Sequence, residues 1–249
     1  MFLSIDIEGG VRHGQRLNEV GISILNTASL NPISPETESP ILSYNFRLRS
    51  RSRYVKHSNP FLFGTTEDIP LDQTKDLFRR IALGGQHPNP FYKSDGVEIV
   101  LAGPRVTGDM RIMNRYIPGL WQNAPIAAVI DLHVLHGGIR LAKALDGLNI
   151  EKGQYRGLHC GGNDANYCLR APLLTAVKHF ESDIGGALID QERAGKIRAV
   201  ALGTAPSLTS ELDQKGKKWY NAGDIEESLD VLGIGWSNLI FDQERKDFL

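Results

Sequence analysis

The chain has 249 residues, 41% of them hydrophobic and 23% charged, proportions ordinary for a globular protein that buries a core in one large domain or one domain with an extension. A formal net charge of -1 speaks against a non-specific polyanion binder and leaves nucleic-acid binding to a local basic groove. Two cysteines are too few for a disulfide framework, and neither a leader-like segment nor a long apolar run occurs. The expectation is an intracellular chain, cytoplasmic or nuclear, with no membrane partner.

Residues 2–7 and 18–25 read as strands joined by a connection over 9–16 that is rich in glycine and arginine. A loop over 26–40, dense in Ser, Thr, Asn and Pro, leads to a third alternating strand at 41–49. This succession predicts an antiparallel opening to a sheet. Leu71, Leu77, Phe78 and Ile81 have helical spacing, which predicts a helix over 71–83, and 84–96 is a loop. The nearly continuous apolar run 97–102 predicts a buried strand, followed by a helix over 106–116, a strand over 127–132 and a helix over 139–145.

The best-defined helix is predicted to start near Asp164 with Asn163 as N-cap, because Ala165, Cys168, Leu169, Leu173, Ala176, Val177 and Phe180 recur on one stripe. Pro172 within it predicts a kink. A helix over 184–194, a strand over 196–202 and a short helix over 224–232 follow. Strands and helices that alternate after a meander predict an α/β fold, a mixed sheet with helices on its faces.

The chemistry begins at Asp6 and Glu8. Side chains two apart on a strand share a face, so these carboxylates emerge side by side, roughly 7 Å apart. Two anions so placed are costly to bury unless a divalent cation lies between them. Asp109 stands just after the buried strand, early in a helix, and Asp164 opens the last amphipathic helix, with His159 shortly before it. Strand ends and helix starts are where an α/β sheet collects functional groups. Four convergent carboxylates suit two divalent cations about 3.5–4 Å apart, the arrangement that serves in-line phosphoryl displacement, and oxygen ligands favour Mg²⁺ or Mn²⁺ over zinc. A histidine, with an ordinary pKa near about 6.5, can take a proton from an attacking water.

These residues resemble the DEDDh branch of the DnaQ-like 3′→5′ exonucleases. Asp6-Ile7-Glu8 is similar to its first motif, Asn18-Glu19-Val20-Gly21-Ile22 to the strand that follows, Gly103 to Asp109 to its second motif, and His159 with Asp164 to its third. The sister branch uses a tyrosine at a position that is Cys160 here. Phe61 to Glu67 and His159 to Leu169 look most like a fungal group that includes an Argonaute-associated exonuclease of RNA silencing. The resemblance spans about 2–180. It implies a ribonuclease H-like mixed sheet, antiparallel in its first three strands and then parallel, with a nuclease domain over 1–182 and an extension over 183–249 on the same domain. Further implied are two Mg²⁺, for which Mn²⁺ can substitute, held by Asp6, Glu8, Asp109 and Asp164, with His159 as general base. The implied substrate is a nucleic acid with a free 3′ end, cut to nucleoside 5′-monophosphates, and the implied protein partner is of Argonaute type. Pro104 follows Gly103 where the family often carries a histidine or another polar residue.

Other features admit rival readings. Arg47, Arg49 and Arg51 recur at alternate positions, so an extended segment would present a guanidinium row that could hold phosphates, or simply a solvated edge strand. Tyr54 and Phe61 could stack on bases or lie in a core. Asp131, His133 and His136, or His159 with Cys160 and Cys168, could be drawn as zinc sites, although strand and helix geometry bring only part of the first set together. No motif encodes contact with a 2′-hydroxyl, so only the likeness to the RNA-silencing group tilts the expectation toward RNA. A catalytically silent nucleic-acid- or protein-binding module that keeps the fold is the alternative to an enzyme.

Overall fold

The structure is a computed structural model that describes residues 1–9, 17–30, 40–49, 59–70, 73, 98–122, 124–152, 157–182 and 191–203. Its strands are β1 (Phe2–Glu8), β2 (Glu19–Leu25), β3 (Ile41–Arg49), β4 (Thr66–Pro70), β5 (Ile99–Gly103) and β6 (Ile126–Asp131). Its helices are α1 (Val106–Tyr116), α2 (Leu132–Leu135), α3 (Leu141–Leu148), α4 (Gly161–Ser182) and α5 (Gln191–Leu202). The strands form one six-stranded sheet in the order β4-β3-β2-β1-β5-β6. β2 pairs antiparallel with both β1 and β3, whereas β1 with β5, β5 with β6 and β3 with β4 pair parallel. The fold is α/β, a mixed sheet in the ribonuclease H-like arrangement with helices against it. Among the described residues no helix is long and apolar enough to cross a membrane.

Alternation along β1 to β3 gives the sheet two unlike faces. Leu3, Ile5, Val20, Ile22, Ile24, Phe46 and Leu48 point to one side and pack with Val106, Met113, Ile117 and Trp121, so α1 closes an apolar layer. The opposite face carries Ser4, Ser23, Asn45 and Glu19, all nearly or fully buried, with the half-buried Ser43, and α4 lies across it. Buried polar groups are tolerable only when hydrogen-bonded. Ser23 and Ser43 share a hydrogen bond of 2.7 Å, Asn166 of α4 donates to Ser43 Oγ at 2.9 Å, and Arg170 donates from Nε to Asn166 Oδ1 at 2.6 Å. Around this ladder Leu25, Ile41, Leu145, Leu148, Leu169 and Leu174 complete a second apolar cluster.

The structure departs from the sequence reading in several places. β4, a short polar strand ending in Pro70, was not expected; it pairs parallel with β3 at the sheet edge, where a proline is tolerated. The expected strand over 196–202 is instead part of helix α5, whose Ile197, Val200 and Ala201 pack against the α4 cluster. The helix expected near Asp164 begins at Gly161 and runs on through Pro172 to Ser182. The expected helices over 71–83 and 224–232 lie outside the described residues.

Candidate active site

Asp6 and Glu8 stand on the α4 face of β1, and register fixes their neighbours. Asp6 lies opposite Gly21, which lies opposite Asn45; Glu8 lies opposite Glu19, which lies opposite Arg47, which lies opposite Asp68. Glycine at position 21 is obligatory. A Cβ there would sit 1.8 Å from Gly161 C and 2.2 Å from Gly162 N, so backbone meets backbone where α4 begins.

That close approach brings the helix start onto the acids. Gly161 N donates to Glu19 Oε1 at 2.7 Å, and Gly162 N donates to Asn45 Oδ1 at 2.9 Å. Side chains from two strands therefore cap the helix, each satisfying one of its free N–H groups. Asn163 is not the N-cap: its Oδ1 accepts from Leu62 N at 2.8 Å and its Nδ2 donates to Pro60 O at 2.9 Å, so it braces the segment before β4. Phe61 of that segment is buried, edge-on to Phe63. His159, just before the helix, has a left-handed φ of 65°, and its N–H donates to Asp164 Oδ2 at 3.1 Å. The turn exposes the His159 ring above a buried Asp164.

Asp109 arrives from another direction. It lies in the first turn of α1, after a loop in which Arg105 has a left-handed φ of 59°. Asp131, at the end of β6, accepts from Arg105 N at 3.1 Å and from His133 N at 2.9 Å. These bonds anchor the Gly103-Pro104-Arg105 loop to the neighbouring strand and make Asp131 a cap for α2.

Glu8, His159 and Asp164 each offer a ligand atom, and these atoms lie within 4.8 Å of one another, the one such group of metal-competent side chains among the described residues. Asp6 and Asp109 share their field. Burial pushes the Asp6 carboxyl well above the ordinary range, and Asp164, Asp109, Glu8 and Glu19 push it further. Asp109 is pushed up to about 7 by burial, then by Glu8 and Asp131. Burial raises Asp164, the His159 N–H draws it back, and Glu8 and Glu19 add to the rise. Glu8 is raised by burial, with His159 opposing. Asp164 Oδ1 is buried with no hydrogen-bond partner. An orphaned carboxylate oxygen beside another carboxylate and an imidazole fits a hard divalent cation. Burial pushes the thiols of Cys160 and Cys168 up, away from the thiolate that zinc requires.

The arginines join this site only in part. Arg47 lies on the row of Glu8 and Glu19, but its guanidinium is 3.6 Å from Asp68. Arg49 pairs with Pro70 in the β3–β4 register, and Arg51 and Tyr54 lie outside the described residues. Sequence reasoning passed over Glu19, Gly21 and Asn45 as working parts. The available signal was an acid opening an otherwise apolar strand opposite Glu8. No curated protein matches the chain. Residues 1–175 match the family model described as DNA polymerase III subunit epsilon-like, C-terminal domain, a span that takes in Asp6, Glu8, Asp109, His159 and Asp164. By that match the chain belongs to the DEDDh exonuclease superfamily.

Proposed function

We propose that this protein is a metal-dependent 3′→5′ exonuclease that hydrolyses single-stranded nucleic acid to nucleoside 5′-monophosphates, RNA in preference to DNA. The observation that carries the reading is the meeting of Glu8, His159 and Asp164 within 4.8 Å around a buried, unpartnered carboxylate oxygen. Asp6, Glu8, Asp109 and Asp164 would hold two Mg²⁺, or Mn²⁺ in their place. Bound there, the ions supply charge neutralisation and orientation for an in-line displacement.

The protein's own parts divide the remaining work. The exposed ring of His159 takes a proton from the attacking water as oxygen bonds to phosphorus. The bond from phosphorus to the 3′ oxygen of the preceding nucleotide breaks, releasing a 5′-monophosphate and leaving a new 3′-hydroxyl. Arg47, with Arg49 and Arg51, serves the incoming phosphates in this proposal, and the catalytic unit spans 1–182. The likeness to fungal RNA-silencing nucleases extends the proposal to an Argonaute-type partner.

The test is shortening of 5′-labelled single-stranded RNA and DNA with Mg²⁺, with and without EDTA. Asp6→Ala should abolish turnover in a folded chain, and His159→Ala should reduce it by about 10²–10⁴-fold, the usual worth of general acid–base catalysis, with metal binding kept. Nucleic-acid binding without chelator-sensitive shortening would replace this reading with a silent binding module.

A further inference from the structure

Glu19 is only 2% exposed, yet it stands opposite Glu8 in the strand register and near Asp6 and Asp164, whose carboxyls it raises. Placing a fourth acid there is costly, since like charges directly across a strand pair destabilise it and buried carboxylates need partners. The bond, and not the charge, is what a cap needs: Asn45 caps Gly162 N in the next strand with a neutral oxygen. What distinguishes Glu19 is where its bond lands. Its Oε1 holds Gly161 N at 2.7 Å, two residues on from His159.

His159 needs such a hold. A non-glycine residue at a φ of 65° is strained and persists only where its surroundings over-determine it. Among the bonds that fix the turn are His159 N to Asp164 Oδ2, Gly161 N to Glu19, Gly162 N to Asn45 and Asp164 N to Cys160 O. Only the Glu19 bond ties it to the strand position facing Glu8, the third member of the metal-competent group.

We infer that Glu19 is a positioning residue: through Gly161 it presets the His159–Asp164 turn against Glu8, so that the cation site is assembled before the ion arrives. The inference rests on the metal-site part of the proposed function and is read out without turnover. Calorimetric titration of the whole chain with Mn²⁺ should show affinity about tenfold weaker in Glu19→Ala. Glu19→Gln, which keeps an oxygen toward Gly161 N, should stay within about threefold of the wild type. Where activity is measured, the half-saturating Mg²⁺ concentration should rise by the same factor in Glu19→Ala, with KM for nucleic acid unchanged. A merely structural role would lower the folded fraction and leave both metal constants alone. If Glu19→Ala does not fold, Glu19→Asp, one methylene too short to reach, takes its place with the same expectation. Wild-type Mn²⁺ affinity in Glu19→Ala or Glu19→Asp overturns the inference, as does a loss in Glu19→Gln as deep as that in Glu19→Ala. A wild-type chain that binds Mn²⁺ and cleaves nothing refutes the nuclease and leaves the role of Glu19 legible.

Discussion

Raising the pH of the metal-free protein should destabilise it, with a sign fixed by the direction in which the clustered carboxyls are displaced. Burial, then Glu8 and Asp131, raise Asp109 from an ordinary 3.8 to about 7. A carboxyl that binds its proton more tightly when folded contributes stability that is fully present below the unfolded value. That stability drains away as pH climbs, until it passes the folded value. The window is therefore pH 4 to 7 for Asp109, and the raised Asp6 and Asp164 act in the same sense. At about 1.4 kcal/mol per unit, three units set a ceiling of about 4 kcal/mol, which solvent screening around a partly exposed group brings to about 2 kcal/mol. In a chain of this size that is a fall in Tm of about 4–8 °C. Thermal melts in EDTA between pH 5 and 8 would show it. Asp109→Asn should flatten the slope and melt higher than the wild type at pH 8. Mg²⁺ at about a hundred times its Kd should return about 2.7 kcal/mol to the wild type. A metal-free Tm that is flat or rises with pH, or an equal slope in Asp109→Asn, would refute the reasoning.

Gly21→Ala places a methyl 1.8 Å from the backbone of Gly161, a collision that no rotamer relieves. It should cost about 3 kcal/mol or more and weaken Mn²⁺ binding together with stability; a wild-type melting curve would contradict the close approach. Arg170, 3% exposed, donates to Asn166 Oδ1 and to Gly203 O at the end of α5 and lies 5.1 Å over the Phe63 ring. Arg170→Met leaves two acceptors unpaired and should cost about 2–4 kcal/mol, with amide exchange rising first in residues 191–203. Unchanged protection there would show that Arg170 does not latch α5.

Those strands and helices whose signal is local were legible in the sequence. Alternation in Phe2-Leu3-Ser4-Ile5-Asp6-Ile7-Glu8 placed both acids on one face, and the 106–116 helix was read within its observed bounds. The parts that escaped depend on distant partners. Asn163 has the right chemistry for an N-cap, but the first N–H groups of α4 are met by Glu19 and Asn45, well over a hundred residues upstream, which lets the helix begin at Gly161. Residues 196–202 contain β-branched residues and resemble a strand. Yet Ile197, Val200 and Ala201 also fall three and four apart, and docking against α4 selects the helix. β4 is short and polar because an edge strand has one bonded neighbour and little apolar surface to bury.

The capping of α4 has a consequence for how a phosphate would be received. A helix N-terminus beside a cleft is ordinarily an anion site, since its N–H groups are free and its dipole is positive there. Here Gly161 N and Gly162 N are already committed to Glu19 and Asn45, and the side chains around them are acids. A nucleic-acid phosphate brought to this point meets the carboxyl groups of Asp6, Glu8, Glu19 and Asp164 and no spare donor from those two amides. Attraction has to be supplied by cations, and the acids that offer a bare phosphate nothing are the ones able to gather them. The same arrangement makes phosphate affinity at the site conditional on the metal: nucleic-acid binding measured at low salt should weaken on adding EDTA, and equal affinity with and without chelator would place the phosphate contacts elsewhere on the surface.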